Sequence, residues 1–168
     1  MTEEKSETEV RAKLEELLGE MSAGILVTRH KDGSMHGRPM AVERQLEDGE
    51  LWFLTDVGSE KVADIEAVDD VAVAFADPDR DHFVSVSGKA SIVRDRDLLR
   101  AHWLEAERPW FPDGPDDANL VAIRVAITHA EYWDAHTRRL PLAADYAKEA
   151  LTGVPSDSEA ETGSITFR

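Results

Sequence analysis

Leu51-Trp52-Phe53-Leu54-Thr55-Asp56-Val57-Gly58-Ser59-Glu60-Lys61 is the stretch that decides how this chain is read. Residues 51–55 are apolar and aromatic and suit a strand. Gly58 lets the backbone turn sharply without steric cost. Ser59 is a residue type that caps helices, and Val62, Ile65 and Val68 follow at helical spacing. The pattern is strand, tight turn, helix start. A helix start offers free N–H groups and the positive end of a dipole, which suits a phosphate. Lys61 adds a mobile cation at that same end. Two readings stand on these residues: an ordinary capped helix with a solvated lysine, or a site for an anionic cofactor.

The flanking sequence supplies the architecture. Residues 3–20 are polar, with Val10, Leu14, Leu17 and Leu18 at helical spacing, and predict a surface helix ending near Gly19. A first strand is predicted over 23–28, a hairpin turn at Lys31-Asp32-Gly33, and a second strand over 35–45. Pro39 inside that strand points to an edge, a bulge or a strand end. Glu47-Asp48-Gly49 turns the chain into the strand at 51–55, and a helix over 59–68 follows. The apolar run 71–76 predicts a strand buried on both faces. Another strand is predicted over 82–93, with Gly88 marking a kink or a close approach. A helix opens at Asp95 and reaches Glu105. The segment Arg108-Pro109-Trp110-Phe111-Pro112-Asp113-Gly114-Pro115 cannot be regular structure, because prolines and a glycine surround its two aromatics. A last long strand over 120–127 is extended by 130–133, and a short helix is predicted over 142–151.

Three segments follow: a flexible N-terminus over 1–9, one domain over 10–152, and a mobile acidic tail over 153–168. Hairpin-linked strands with few helices between them favour an antiparallel sheet over a doubly wound one. The expected fold is mainly β in an α+β arrangement. About six strands with helices at the ends suggest a small closed barrel.

Composition narrows the function classes. The chain has 168 residues, 35 Asp plus Glu against 19 Lys plus Arg, and a net charge of −16. That balance argues against nucleic acid and against anionic membrane surfaces. No cysteine is present, so disulfides, thiolate metal sites and cysteine catalysis are excluded. No apolar run reaches transmembrane length, and the acidic start is unlike a signal peptide. The expected location is the cytoplasm.

No dinucleotide-binding glycine fingerprint, P-loop or nucleophile elbow occurs. The six histidines, His30, His36, His82, His102, His129 and His136, match no metal motif, and no metal site is expected. Arg38 and Lys61 remain as cations on an acidic background. In a meander the second and third strands are neighbours, so both side chains can meet one phosphate. A salt bridge from Arg38 to a carboxylate is the competing reading. Trp110 and Phe111, in a proline-stiffened loop, suit either a partner surface or a flat ligand, or simply their own domain.

The ordered set of motifs resembles the pyridoxamine 5'-phosphate oxidase-like FMN-binding split-barrel family, and within it the general stress protein branch. The matching pieces are Gly37-Arg38-Pro39-Met40, the stretch from Leu51 to Lys61, Val84-Ser85-Val86-Ser87-Gly88-Lys89-Ala90, Trp110-Phe111-Pro112-Asp113-Gly114 and Ala130-Glu131-Tyr132-Trp133-Asp134. The resemblance implies a six-stranded antiparallel split β-barrel with flanking helices, working as a homodimer with FMN at the interface. It implies Arg38, Ser59 and Lys61 as phosphate ligands. It places Pro39, Met40, Leu54 and Thr55 along the flavin ring, with Trp110 and Phe111 reaching over from the other subunit. FAD and a deazaflavin are the alternative cofactors. The activity implied is that of an FMN-dependent oxidoreductase of open substrate, or else of a non-catalytic flavin carrier or a deazaflavin-dependent reductase. Pyridoxamine-phosphate oxidation is not expected, because Arg138-Arg139-Leu140 onward departs from the arginine-containing C-terminus of the true oxidases.

Overall fold

A computed structural model describes residues 6–42, 49–134 and 161–167. Helix α1, Glu7–Gly19, opens with a reciprocal cap between Ser6 and Glu9. Residues 6–9, expected to belong to a flexible end, are therefore the ordered start of a helix. Its Leu14 and Leu17 are fully buried against the sheet. The strands are β1 Ala23–Arg29, β2 Met35–Ala41, β3 Glu50–Asp56, β4 Asp70–Asp77, β5 His82–Val93, β6 Leu120–Asp134 and β7 Glu161–Thr166. Helix α2, Glu60–Ala67, lies between β3 and β4, and α3, Arg96–Ala101, follows β5. Short 3-10 turns at Glu105–Glu107 and Gly114–Asp116 shape the aromatic loop. The short helix expected over 142–151 and the end of the second strand at 43–45 lie outside the described residues.

All pairings are antiparallel, as the hairpin signals predict. Strand order is β2-β1-β4-β5-β6-β3, with β7 also on β6. Two expectations change here. First, β2 and β3 are not hydrogen-bonded neighbours, although they come close in space. They are the two edges of a curled sheet that stays open between them. Second, the sheet has seven strands among the described residues, because part of the tail expected to be mobile forms β7. Ile165 drives that docking by becoming buried, and Gly163 lies so close to Tyr132 that a Cβ would sit 2.5 Å from its ring. Acidic composition hid a short β-forming run, Thr162 to Thr166, with one anchoring isoleucine.

The sheet interior is filled by Leu26, Phe53, Val73, Val86, Ile123 and Tyr132. In β4 only Val71, Val73 and Phe75 are buried, whereas Ala74 and Ala76 are exposed. The expected two-sided burial is therefore one-sided, and the alanines form part of an outer face. Gly88 marks the expected close approach: a Cβ there would lie 2.4 Å from the Ala126 carbonyl, at the bulge between Ser87 and Gly88.

Candidate functional site

The gap between the two edge strands is a cleft of about 490 Å³. Strand β2 contributes Pro39, Met40 and Ala41, and the end of β3 contributes Leu54, Thr55 and Asp56. Ser59 and Lys61 enter from the turn into α2, and Glu107, Trp110 and Phe111 from the aromatic loop. The cleft thus gathers eight of the nine residues singled out from the sequence. Arg38 is the exception and does not line it. Its guanidinium is held away from the lining by its bonds to Thr28 and Asp64.

Each cleft residue has a local cause. Asp56 Oδ1 accepts from the Gly58 N–H at 2.7 Å and so tightens the turn. Ser59 takes the N-cap position as predicted, yet its side chain makes no capping bond. Its Oγ lies 3.4 Å from Thr55 Oγ1 instead. Lys61 Nζ donates to the same Thr55 Oγ1 at 2.9 Å. Burial and the nearby Arg38 charge hold the Lys61 ammonium below the usual lysine range, against an opposing pull from Asp56. Among the described residues its partner is a hydroxyl, not a carboxylate. A half-buried ammonium in that condition has donor capacity to spare for an anion.

Arg38 sits just behind. It donates to Thr28 Oγ1 at 2.8 Å and to Asp64 Oδ2 at 3.3 Å, and lies 3.6 Å from Glu60 Oε2. The salt-bridge reading of Arg38 thus holds in this structure, and its charge reaches the cleft through space. Asp64 organises that cluster. Burial would push its carboxyl up, but hydrogen bonds from Thr28, His30 and Arg38 outweigh burial and hold it below the usual range. Sequence reasoning missed Asp64, because its partners Thr28, His30 and Arg38 are distant along the chain. The only local signal is a charged residue wedged between the buried Val62 and Ile65.

The aromatic pair divides. Phe111 is buried with Trp52, Leu54, Leu99 and Leu120, under the loop. Trp110 is 71% exposed at the rim. The resemblance has both rings reaching a partner's groove; here both stand at the cleft of their own chain.

A second surface adjoins the first. Ile25, Ala74, Ala76, Phe83 and Trp133 line a shallow apolar depression on the outer side of the sheet, and no residue lining it is charged. Pro39 lines both this depression and the cleft. Among the described residues no helix is long and apolar enough to cross a membrane.

Residues 9–157 match the pyridoxamine 5'-phosphate oxidase-like family. The chain belongs to that family. Protein bli-3 of Neurospora crassa is 32% identical over 142 residues, which span 79% of this chain and 68% of the relative. The general stress FMN/FAD binding protein from Xanthomonas citri is 27% identical, with a TM-score of 0.67 over 79% of this chain and 94% of that one. General Stress Protein 26 from Bacillus anthracis is 28% identical, with a TM-score of 0.66 over 73% and 92%. The family fold is the split barrel, so the open edge between β2 and β3 is the split of this oxidase-like chain.

Proposed function

We propose that the cleft binds a flavin nucleotide, FMN, and that the chain works as a homodimeric flavoprotein of the general stress type. The observation that carries this reading is Lys61, a half-buried ammonium whose partner among the described residues is a hydroxyl, in a cleft that also holds the apolar and aromatic Pro39, Met40, Leu54, Trp110 and Phe111. The residues present fit the group. Lys61, the Ser59 hydroxyl and the start of α2 would hold the phosphate, with Arg38 lending charge from behind. Met40, Leu54 and Trp110 offer flat apolar surface for the ring. The cleft volume falls in the usual range for a single small-molecule site. A bound flavin supplies reversible electron and hydride chemistry of its own.

What the chain adds is orientation and exclusion of water. Thr55 steers Lys61, Asp64 steers Arg38, and Phe111 props the loop that carries Trp110. On this reading the protein is an FMN-dependent oxidoreductase. The homodimer reading is supported by the uncharged outer face, which is exceptional on a chain of net charge −16 and meets the cleft at Pro39.

The deciding experiment is the identity of the small molecule released when the purified protein is denatured. Mass spectrometry should return FMN, and the native protein should show flavin bands in the visible. FAD or a deazaflavin would replace FMN in this account. A protein that carries no flavin and does not take up added FMN would defeat it. Turnover with a reduced nicotinamide separates an oxidoreductase from a carrier.

A further inference from the structure

We propose that His30, His36 and Asp64 form a binding site for one divalent transition-metal ion, of the zinc, cobalt or nickel class. The hairpin makes the site. Thr28 lies directly opposite His36 across the β1–β2 register, and His30 follows Thr28 on the same face, so the turn at 31–33 folds two histidines six residues apart onto one surface. Their rings stack with centroids 4.8 Å apart. Asp64 rises to meet them from α2. One donor atom from each of the three side chains lies within 4.8 Å of the others.

The donor set and its support suit such an ion. Two imidazoles and one carboxylate are the ligands that zinc, cobalt and nickel share. His30 Nδ1 and Asp64 Oδ1 are already 2.8 Å apart, so an ion about 2.1 Å from each would see them at about 85°, a cis pair. His36, near the start of β2, offers the third donor, and donors about 2.1 Å from one ion lie no more than about 4.2 Å apart, so the set draws together slightly on binding. The carboxylate is divided in a useful way. Its Oδ2 is taken by Thr28 and Arg38, which fixes its plane, and Oδ1 faces the histidine. Ser34 Oγ lies 3.0 Å from His36 Nε2 and donates to Asp32, so the second ring is also oriented from outside. Glu60 offsets the Arg38 charge on the far side. This site does not depend on the flavin reading, because none of its three ligands lines the cleft.

The test is titration of the tag-free full chain with Co²⁺, followed by visible absorption, and with Zn²⁺ by calorimetry. One ion per chain is expected, with d–d bands from Co²⁺ that added Zn²⁺ abolishes. His36→Ala, whose ring is only partly buried, should weaken binding about tenfold or more. His30→Ala combined with His36→Ala should abolish it. His129→Ala, at an unrelated exposed histidine, should change nothing. Circular dichroism checks that each variant is folded. No saturable binding by the wild-type chain overturns the proposal, whatever the variants do. So does a double variant that binds like the wild type.

Discussion

The split and the outer face touch at Pro39, yet they are built by opposite rules. The split collects groups that want a small charged molecule: Lys61, Ser59 and Thr55 at one end and exposed Trp110 at the other. The outer face collects Ile25, Ala74 and Trp133 and has no charge in its lining. Both arise from strand alternation. Inward residues of β1, β4 and β5 fill the core, and around the depression their outward neighbours Ile25, Ala74, Ala76 and Phe83 are small or apolar where polar ones would suit water better. At the sheet edges alternation has no partner strand to satisfy, so the side chains there are free to become a site. The lesson is that an uncharged surface, the one proposed to meet another copy of the chain, is made by composition within paired strands. The cleft proposed to take a ligand is made where pairing stops.

The largest effect is expected on the outer face. Ile25→Glu places a carboxylate 44%-exposed Ile25 does not carry, directly opposite Ala74 in the register. Buried unpaired in a dimer, that charge costs several kcal/mol, on the order of 3–5. Sedimentation should show the wild type as a dimer and the variant as a folded monomer. FMN affinity should fall with it, since Pro39 ties the two surfaces together. A dimeric variant would mean that the copies meet elsewhere.

Asp64 comes next, because it braces the cation behind the split. Asp64→Asn leaves Arg38 without its buried counter-charge and should cost about 3 kcal/mol at neutral pH. The sign of the pH dependence is set by the depressed carboxyl. Its contribution is complete above the ordinary aspartate value of 3.8 and is lost as pH falls through the lower folded value. Denaturant melts of wild type and variant should therefore converge below about pH 3.8. A gap that stays constant into acid would show that Asp64 acts through packing and not through charge.

Lys61 tests the split itself. Lys61→Ala should weaken FMN about tenfold or more and leave riboflavin nearly unchanged, since a charge-assisted bond to phosphate is worth about 1.5–3 kcal/mol. The lowered lysine adds a pH signature. FMN affinity should be full below the Lys61 value and fall as pH rises through it, earlier than the ordinary 10.5. Equal losses for FMN and riboflavin would move Lys61 from the phosphate to the ring or the fold.

Much of the split was legible in the sequence, because local signals built it. The run from Leu51 to Lys61 is one continuous segment, and its strand, turn and helix start are all found within a residue or so of where propensity puts them. Pro39 announced an edge, and β2 is an edge. What stayed hidden was long-range. Sequence adjacency made β2 and β3 neighbours, but the curl of the sheet sends them to opposite edges. The Asp64 cluster joins residues 28, 30, 38 and 64, and no local period links them. Strand β7 was masked by the acidic composition around it, although its single anchor Ile165 was in plain view. Two histidines flanking a turn at 30 and 36 were read as scattered because no motif uses that spacing. A hairpin register brings them together without one.

The smallest effect discriminates most finely between the two readings of the helix start. A serine that caps α2 would cost about 1 kcal/mol of stability on conversion to alanine. Ser59 makes no such bond, so Ser59→Ala should leave the melting temperature almost unmoved. Its hydroxyl instead lies near Thr55 and Lys61, facing the cleft. Loss of one hydrogen bond to a phosphate should weaken FMN only a few-fold, about 0.5–1.5 kcal/mol. Riboflavin should bind the variant as it binds the wild type. The two numbers, stability and FMN affinity, therefore move apart for a ligand residue and together for a cap. A drop in stability with FMN affinity unchanged would return Ser59 to an ordinary helix start, and the phosphate would then rest on Lys61 and the backbone of α2 alone.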